Sequence, residues 1–416
     1  MNFQFPKNFY WGSATSAHQV EGGNHNDWSE WEKENAKRLA REAEGRFGYL
    51  SNWTKIKIEA QNPQNYISGR ACDHYNRYEE DFDIVKSLGH NAHRFSIEWS
   101  RIEPEEGKFN EKEIEHYRNV IKALRARGIE PFVTLWHWTQ PIWIADIGGW
   151  ENKKTIDHFL RYIEKIVGEL KENVKFWIVL NEPNIYTGFG FVKGSHPPGR
   201  RNIFKALKVY LNLLKTQKRS YEIIHKIDQD VEVGIANSFM HFEEKNNFFL
   251  NKSIKNIVNY FWNFWFLNKI GKELDFIGCN YYSRQLVGII GKKVGLGEVS
   301  DLGWEIFPRG IYLVIKKLEK YKKPIYITES GIADANDEKR AKFIKDHLYW
   351  VGMAIKEGSD VRGYFHWSLL DNFEFPEARG FWPRFGLVEI NYETMERKIR
   401  SSAWEYKKII DGKDLL

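Results

Sequence analysis

The chain has 416 residues, 42% hydrophobic and 28% charged, enough apolar material for one large core or for two or three smaller domains, and too much for a disordered protein. Its formal charge of +6 comes from Lys and Arg spread along the sequence, which excludes nucleic acid as an expected partner. The aromatic fraction of 16% fits either sugar-stacking surfaces or an aromatic-rich core.

Eight short runs rich in β-branched and aromatic residues alternate with longer segments of helical periodicity. In chain order the runs are FYWGSAT, NAHRFSIEW, EPFVTLWHW, KFWIVLNEP, VEVGIANSF, DFIGCNYYS, PIYITESG and VRGYFHWSLLD. They are almost continuously apolar, as strands covered on both faces are. Segments such as DFDIVKSLG and IEHYRNVIKALRARG have helical apolar spacing and end in glycine. This pattern predicts an α/β protein with a single (β/α)8 TIM barrel.

No linker rich in Pro, Ser or Gly divides the chain, so we predict one domain over residues 1–416. Two stretches interrupt the alternation: residues 33–70, charged and without a clear period, and residues 241–273, aromatic and basic. We expect both to form loops at the rim of the active face. For the second stretch we favour packing against the sheet over contact with a membrane surface. Its aromatic residues are Phe248, Phe249, Tyr260, Phe261, Trp262, Phe264 and Trp265.

The cysteine content and the N-terminal segment bear on the cellular compartment. Cys72 and Cys279 are the two cysteines, and Cys279 lies inside an apolar run, so we expect no disulfide framework and a cytoplasmic location. The segment MNFQFPKNFYWG lacks the charged and apolar regions of a signal peptide, and no run of about eighteen apolar residues occurs. We therefore predict neither a signal peptide nor a membrane span. The residues predict no particular oligomeric state.

Polar or aromatic residues interrupt the apolar pattern at or just beyond the end of each run. In a barrel of this kind the C-terminal ends of the strands and the loops that follow them form the pocket. One such residue is more often merely the start of a loop, but a set of this size indicates an active site. The set is Gln19, Arg94, His137, Asn181, Glu182, Asn237, Asn280, Tyr282, Glu329 and Trp367.

Two members of this set are carboxylates, Glu182 in the fourth run and Glu329 in the seventh, each directly after an apolar stretch. Hydrolysis of a glycosidic bond needs one carboxylic acid to protonate the leaving oxygen and one carboxylate to meet the anomeric carbon. Retention of configuration requires a separation of about 5–5.5 Å between the carboxyl groups, and inversion requires about 6.5–9.5 Å. The spacing in the sequence leaves both stereochemical outcomes open.

The chain resembles glycoside hydrolase family 1, the β-glucosidase and β-galactosidase family, over essentially its whole length. The matching motifs occur in the family's order: FYWGSATSAHQVEG, RFSIEWSRIEP, LWHW, LNEPN, DFIGCNYYS, IYITESGIAD, HWSLLDNFEF and RFGLVEINY. The resemblance implies a retaining, exo-acting β-glycosidase, foremost a β-glucosidase, with β-galactosidase and β-fucosidase as further activities. It implies a covalent glycosyl-enzyme, and small-molecule β-glycosides or short oligosaccharides as substrates.

The resemblance also implies roles for individual residues. Glu182 corresponds to the acid/base and Glu329 to the nucleophile, and Asn181 corresponds to the residue that binds the sugar 2-hydroxyl. Arg94 and Tyr282 correspond to the residues that hold the nucleophile ionised, as a nearby guanidinium would do. Burial and the negative charge of the second carboxylate would keep Glu182 protonated until it is needed.

The resemblance further implies a second set of residues that bind the substrate. His137 could also be considered as a metal ligand, but no second ligand stands at suitable spacing beside it, so we expect no metal site and no cofactor. Gln and Glu side chains can each bridge neighbouring sugar hydroxyls, and Trp offers a flat face and one donor. The predicted substrate-binding residues are Gln19, His137, Asn280, Trp304, Trp367, Glu374 and Phe375.

The chain departs from the family pattern at several places, and two of them bear on the substrate. Phe375 stands where members have Trp directly after the glycone Glu, and the loss of the indole donor predicts an altered ranking of gluco-, galacto- and fuco-configured substrates. The segment NFWFLNKIGKELDFIG runs almost directly into the sixth predicted strand, whereas members have a longer segment there. We expect a more open aglycone side that admits long or apolar leaving groups.

Two alternatives to simple hydrolysis remain at this stage. The same site could transfer the glycosyl group to an alcohol, or the chain could be a non-catalytic sugar-binding relative. The presence of both Glu182 and Glu329 favours the enzyme, because loss of one carboxylate is the simplest route to an inactive homologue.

Overall fold

The computed structural model of the chain describes residues 4–246, 248–289, 297–375 and 377–412. Within them, eight parallel strands close into a barrel in chain order, with β8 paired to β1. Each of the eight predicted runs coincides with one strand, although β5 and β6 extend beyond their runs, so the predicted TIM barrel is confirmed. The strands are β1 Tyr10–Ala14, β2 Ala92–Ser96, β3 Glu130–Trp136, β4 Phe176–Asn181, β5 Glu232–Glu244, β6 Phe276–Val287, β7 Ile325–Ser330 and β8 Val361–Trp367.

Helices surround the barrel and follow the strands in the order that parallel pairing requires. Short strands β9 (Val388–Ile390) and β10 (Arg397–Ile399) form a separate antiparallel pair. The helices are α1 Ala17–Val20, α2 Asp27–Phe47, α3 Trp53–Ala60, α4 His74–Ser87, α5 Trp99–Ile102, α6 Glu111–Ala126, α7 Ile142–Asp146, α8 Lys154–Leu170, α9 Pro183–Thr187, α10 Ile203–Ile227, α11 Phe249–Asn259, α12 Trp265–Ile270, α13 Arg309–Leu318, α14 Arg340–Lys356 and α15 Ser401–Ile410.

Aromatic side chains fill the barrel interior near the N-terminal ends of the strands, as the side-chain layers of such barrels do. Phe132 and Phe176 stack with their ring centroids 4.1 Å apart. Gly234 on β5 makes room for this packing, because a Cβ atom there would lie 2.4 Å from the ring of Phe276. We call this group the aromatic plug; it consists of Tyr10, Phe132, Phe176, Phe276, Tyr326 and Phe365.

The prediction of a loop over residues 33–70 is wrong, because helices α2 and α3 occupy most of this stretch. Asn26 caps α2: its side chain accepts a hydrogen bond from the backbone N–H of Ser29 at 2.9 Å. The buried face of α2 follows helical spacing, but it consists largely of alanines between charged residues, which hides the periodicity. The buried residues of this face include Ala36, Leu39, Ala40, Ala43 and Phe47.

The stretch 241–273 is also ordered into regular structure rather than a loop. It contains the end of β5, then α11, a turn of π-helix at Tyr260–Phe264, and α12. The predicted inward packing holds for Phe264, which is buried, but Phe249 and Phe261 are 72% and 57% exposed. Asn247 of this stretch lies outside the described residues.

Strands and surrounding helices run through the whole described part of the chain, and the single domain stays a prediction. The remaining positions of the predicted 1–416 domain lie outside the described residues. Cys72 and Cys279 are both buried and form no disulfide. Among the described residues, no helix combines the length and the apolar character needed to cross a bilayer.

Candidate active site

A pocket opens at the C-terminal ends of the barrel strands, where the sequence places the candidate residues. Two predicted residues, Arg94 and Asn280, do not line the pocket but lie buried directly beneath it and contact the residues that do. The pocket is lined by most of the other predicted site residues: Gln19, His137, Asn181, Glu182, Tyr282, Trp304, Glu329, Trp367, Glu374 and Phe375.

Glu329, on β7, receives a donor on each carboxylate oxygen. Arg94 donates through Nη1 to Oε1 at 2.5 Å, and the hydroxyl of Tyr282 donates to Oε2 at 2.7 Å. Burial raises the pKa of Glu329 above its usual range, while Arg94, Tyr282 and Asn280 oppose this by stabilising the charged form. The carboxylate is therefore oriented and partly neutralised before any substrate arrives.

Glu182 stands at the junction between β4 and α9. Its backbone adopts the left-handed region, with φ of 44°, and Pro183 occupies the first position of α9. One oxygen accepts a hydrogen bond from Nδ2 of Asn280 at 3.0 Å. Burial, and then the negative charge of Glu329, raise the pKa of Glu182 to about 8. Glu182 therefore carries a proton at neutral pH. The same pocket also holds the Glu329 carboxylate, which Arg94 stabilises.

Asn280, on β6, connects the two carboxyl groups. Its Oδ1 accepts a hydrogen bond from the Thr328 hydroxyl at 2.7 Å, which fixes the orientation of the amide. The amide nitrogen can then donate to Glu182 and lies 3.3 Å from Oδ1 of Asn181. The sequence predicts substrate binding for Asn280, whereas the structure places its side chain between protein groups.

Arg94 extends the same network towards the fourth strand. Its Nη2 donates to Oδ1 of Asn181 at 2.7 Å, and its Nε donates to the Thr134 hydroxyl at 3.1 Å. Nδ2 of Asn181 lies 3.1 Å from Nε2 of His137. Burial, together with the charge of Arg94, holds the pKa of His137 well below its usual range, so this imidazole is neutral.

A further buried carboxyl group, Glu374, lies at the inner end of the pocket beside Trp367. The indole Nε1 of Trp367 donates to Oε1 of Glu374 at 3.3 Å, and Nδ2 of Asn372 donates to the same oxygen at 2.8 Å. Burial raises the pKa of Glu374 to about 7. Gln19 is held nearby, since its Nε2 donates to the carbonyl of Phe373 at 2.6 Å.

The family model "Glycosyl hydrolase family 1" matches residues 1–272 and 267–415 of this chain. The chain belongs to glycosyl hydrolase family 1. Beta-glucosidase A of Thermotoga maritima is 34% identical over 461 aligned residues that cover 99% of each chain. The solved beta-glycosidase from Pyrococcus horikoshii is 37% identical, with a TM-score of 0.87, covering 100% of this chain and 97% of that one. A Thermotoga maritima beta-glucosidase in complex with glucoimidazole is 31% identical, with a TM-score of 0.85, covering 99% of this chain and 100% of that one.

As a member of family 1, the chain is a retaining β-glycosidase. The family match falls into two pieces that meet at residues 267–272, in α12 directly before β6. A break at this point is expected if the chain lacks part of the family pattern there. The 461 aligned residues also exceed the 416 residues of this chain, so the alignment contains positions without a counterpart here. The position of the break supports the predicted short segment before β6.

Phe375 is held by aromatic neighbours. Its ring centroid lies 4.4 Å from that of Trp28 and 5.4 Å from that of Trp138. The imidazole of His18 stacks on it at 5.2 Å with an interplanar angle of 16°. Phe375 is fully buried and lines the pocket, so it offers the substrate an apolar edge without a hydrogen-bond donor.

The pocket of this family 1 member also contains residues that the sequence patterns miss. Ser238 lines it, whereas its predicted neighbour Asn237 is buried elsewhere, because successive strand residues point to opposite faces. At the rim, Lys193 and Glu377 form an ion pair of 3.2 Å between segments far apart in sequence. Phe189, in a π-helical turn, Met240, near the end of β5, and Gln285, near the end of β6, also contribute, and none of them belongs to a motif. The described residues contain no cluster of side chains suited to a metal ion.

Proposed function

We propose that this chain is a β-glucosidase in which Glu182 is the acid/base and Glu329 is the nucleophile. The assignment rests on a difference between the two carboxyl groups in how strongly their surroundings stabilise the charged form. Glu329 is bonded by a guanidinium and a phenol, whereas the pKa of Glu182 is raised to about 8 by burial and by the charge of Glu329. The substrate class is supported by two relatives called beta-glucosidase A, from Thermotoga maritima and Acetivibrio thermocellus.

The reaction proceeds in two displacements. In the first, Glu329 attacks the anomeric carbon while Glu182 gives its proton to the departing glycosidic oxygen, leaving an ester between the sugar and Glu329. In the second, Glu182 removes a proton from water, and the resulting oxygen nucleophile displaces Glu329 from the anomeric carbon. Two inversions give net retention, and Glu182 ends protonated as it began.

We assign the glycone to the inner end of the pocket. Glu374 and Gln19 would bind neighbouring hydroxyls, and Trp367 would present its ring face and Nε1 to the sugar. The neutral imidazole of His137 adds one more hydrogen-bonding group beside Asn181. Arg94 already holds the Asn181 side chain by a hydrogen bond. Placing Asn181 against the 2-hydroxyl would therefore require no reorganisation in the transition state.

The proposed substrates are small-molecule β-glucosides and short oligosaccharides, from which the enzyme removes one terminal sugar at a time. The free cysteines support a reducing, cytoplasmic compartment. Product configuration tests the proposal: NMR of the first minutes of nitrophenyl β-glucoside hydrolysis should show β-glucose before mutarotation. A first-formed α-anomer contradicts it, and an added alcohol acceptor reports how much glycosyl group is transferred instead of hydrolysed.

The pH dependence should follow the proton on Glu182. We expect kcat/KM for an alkyl β-glucoside to fall as the pH rises through about 8, because the acid is protonated below its pKa and loses its proton above it. Activity should be present on the acid side of this value and lost on the alkaline side. In Glu182→Gln, assayed beside the wild type on the same nitrophenyl glucoside, the alkaline limb should disappear. An unchanged alkaline limb in this variant would assign the ionisation to another group.

Replacement of Phe375 by Trp should change the ranking of glycone configurations. The indole adds a donor at the pocket wall, so the ratio of kcat/KM between nitrophenyl glucoside and nitrophenyl fucoside should shift by roughly tenfold. The same ratio, measured in a Phe381→Trp variant, is the control, because Phe381 lies outside the pocket lining. An identical ranking in wild type and Phe375→Trp would remove Phe375 as a determinant of specificity.

A further inference from the structure

Exposed apolar side chains gather on one side of the barrel instead of being scattered. On α10, Phe204 is 81% and Ile203 is 64% exposed. On α11 and the π-helical turn that follows it, Ile257 is 58% and Phe261 is 57% exposed. Patches of this kind on a soluble protein mark interaction sites. We call this group the apolar patch; it consists of Ile203, Phe204, Leu207, Ile257, Tyr260 and Phe261.

The two halves of the apolar patch lie on helical segments that follow successive strands and pack together where α10 meets α12. Both helical segments leave the C-terminal ends of barrel strands and run back towards the start of the next strand, so they are parallel neighbours. Tyr210 on α10 stacks on Trp265 of α12, with centroids 5.3 Å apart. Leu207 and Phe261 each precede one of these two residues by about one helical turn. They therefore lie at the same level on adjacent helices.

The segments that carry the apolar patch are uniformly basic. Residues 192–221 contain eight Lys and Arg, residues 248–272 contain four, and neither segment contains Asp or Glu. Some of these cations pair with acids from elsewhere, as Lys255 does with Glu244 at 2.8 Å. Lys208 and Lys252 are exposed, and neither forms an ion pair with any described residue within 4.0 Å. The combination is an apolar surface bordered by exposed positive charge.

We propose that the apolar patch binds the surface of an anionic lipid bilayer. Its aromatic and aliphatic side chains would enter the boundary between headgroups and acyl chains, while Lys208 and Lys252 would contact the anionic headgroups. A second copy of this chain fits less well as the occupant. A symmetric contact would bring the same basic segments together, with like charges facing each other.

Vesicle flotation of the full chain tests this inference without reference to catalysis. The protein should float with vesicles of phosphatidylcholine mixed with phosphatidylglycerol, and much less with phosphatidylcholine alone. Phe204→Ser with Phe261→Ser, or Lys208→Glu with Lys252→Glu, should reduce the bound fraction on mixed vesicles by at least about tenfold. Binding by the wild type should also weaken as salt is raised.

Matched controls remove equally exposed groups outside the apolar patch. Tyr49 and Ile58, 73% and 87% exposed, are both replaced by Ser, and exposed Lys37 and Lys398 are both replaced by Glu. These variants should bind as the wild type does. The inference is overturned if the wild type does not float with mixed vesicles, if the patch variants bind normally, or if binding is indifferent to salt. A dimer that Phe204→Ser with Phe261→Ser dissociates, in the absence of vesicle binding, would make a second copy the occupant.

Discussion

Replacement of Glu329 by Ala is expected to reduce hydrolysis of every β-glucoside by at least about 10⁴-fold, because no carboxylate remains to form the ester with the anomeric carbon. Substrate should still bind, since the groups at the inner end of the pocket are untouched. Added azide can enter the space left by the side chain and attack from the same face. This single displacement should yield the α-glucosyl azide, which NMR distinguishes from the β-anomer.

Asp81→Asn is the matched control for this variant. Asp81 is a fully buried carboxylate paired with an arginine, Arg397, at 2.9 Å, like Glu329 with Arg94, but it lies outside the pocket lining. Its loss should lower stability while leaving kcat of the folded protein close to that of the wild type. If Glu329→Ala keeps substantial turnover, or if azide gives no α-product, Glu329 is not the nucleophile.

Replacement of Glu182 by Ala should have an effect that depends on the leaving group. For alkyl glucosides, which need protonation, we expect a loss of roughly 10²–10⁴-fold in kcat/KM. For a dinitrophenyl glucoside the first displacement should be nearly spared, so the glycosyl-enzyme should accumulate and give a rapid burst of phenol followed by slow turnover. The burst is measured by stopped-flow absorbance, and the sugar adduct on Glu329 by mass spectrometry of the intact protein.

The configuration of the azide product separates the two carboxyl groups. In Glu182→Ala the azide reacts with the glycosyl-enzyme, so two inversions should give the β-glucosyl azide. The same reagent thus yields opposite anomers from the two variants if the roles are as proposed. Equal losses on alkyl and dinitrophenyl glucosides, or an α-azide from Glu182→Ala, would contradict the role of Glu182 as acid/base.

The barrel was predictable because its strands are buried on both faces, which leaves near-continuous apolar runs in the sequence. The two carboxyl groups were predictable as candidates because each follows such a run directly, on β4 and β7. The resemblance to a family, and not the spacing, separated Glu182 from Glu329. The difference between them depends on Arg94 and Tyr282, which come from strands remote in sequence.

Other features could not be read from the residues. Helix α2 was missed because Ala36, Ala40 and Ala43 stand between the larger apolar residues of its buried face, and alanine contributes little to an apolar pattern. Ser238 rather than Asn237 faces the pocket because the direction of each side chain depends on the register of β5 in the closed barrel. The ion pair between Lys193 and Glu377 joins loops separated by most of the second half of the barrel. Such contacts depend on the folded path of the chain and leave no local signal.

The aromatic plug has a consequence for the order in which products depart. Stacked rings such as Phe132 and Phe176 block the barrel axis below the reacting carbon, so nothing passes through to the opposite face. Substrate enters and both products leave by the same mouth. The alcohol, which lies nearer the opening, must depart before water can reach the ester, and the monosaccharide departs last. Free glucose should therefore re-enter and compete with incoming substrate as conversion proceeds.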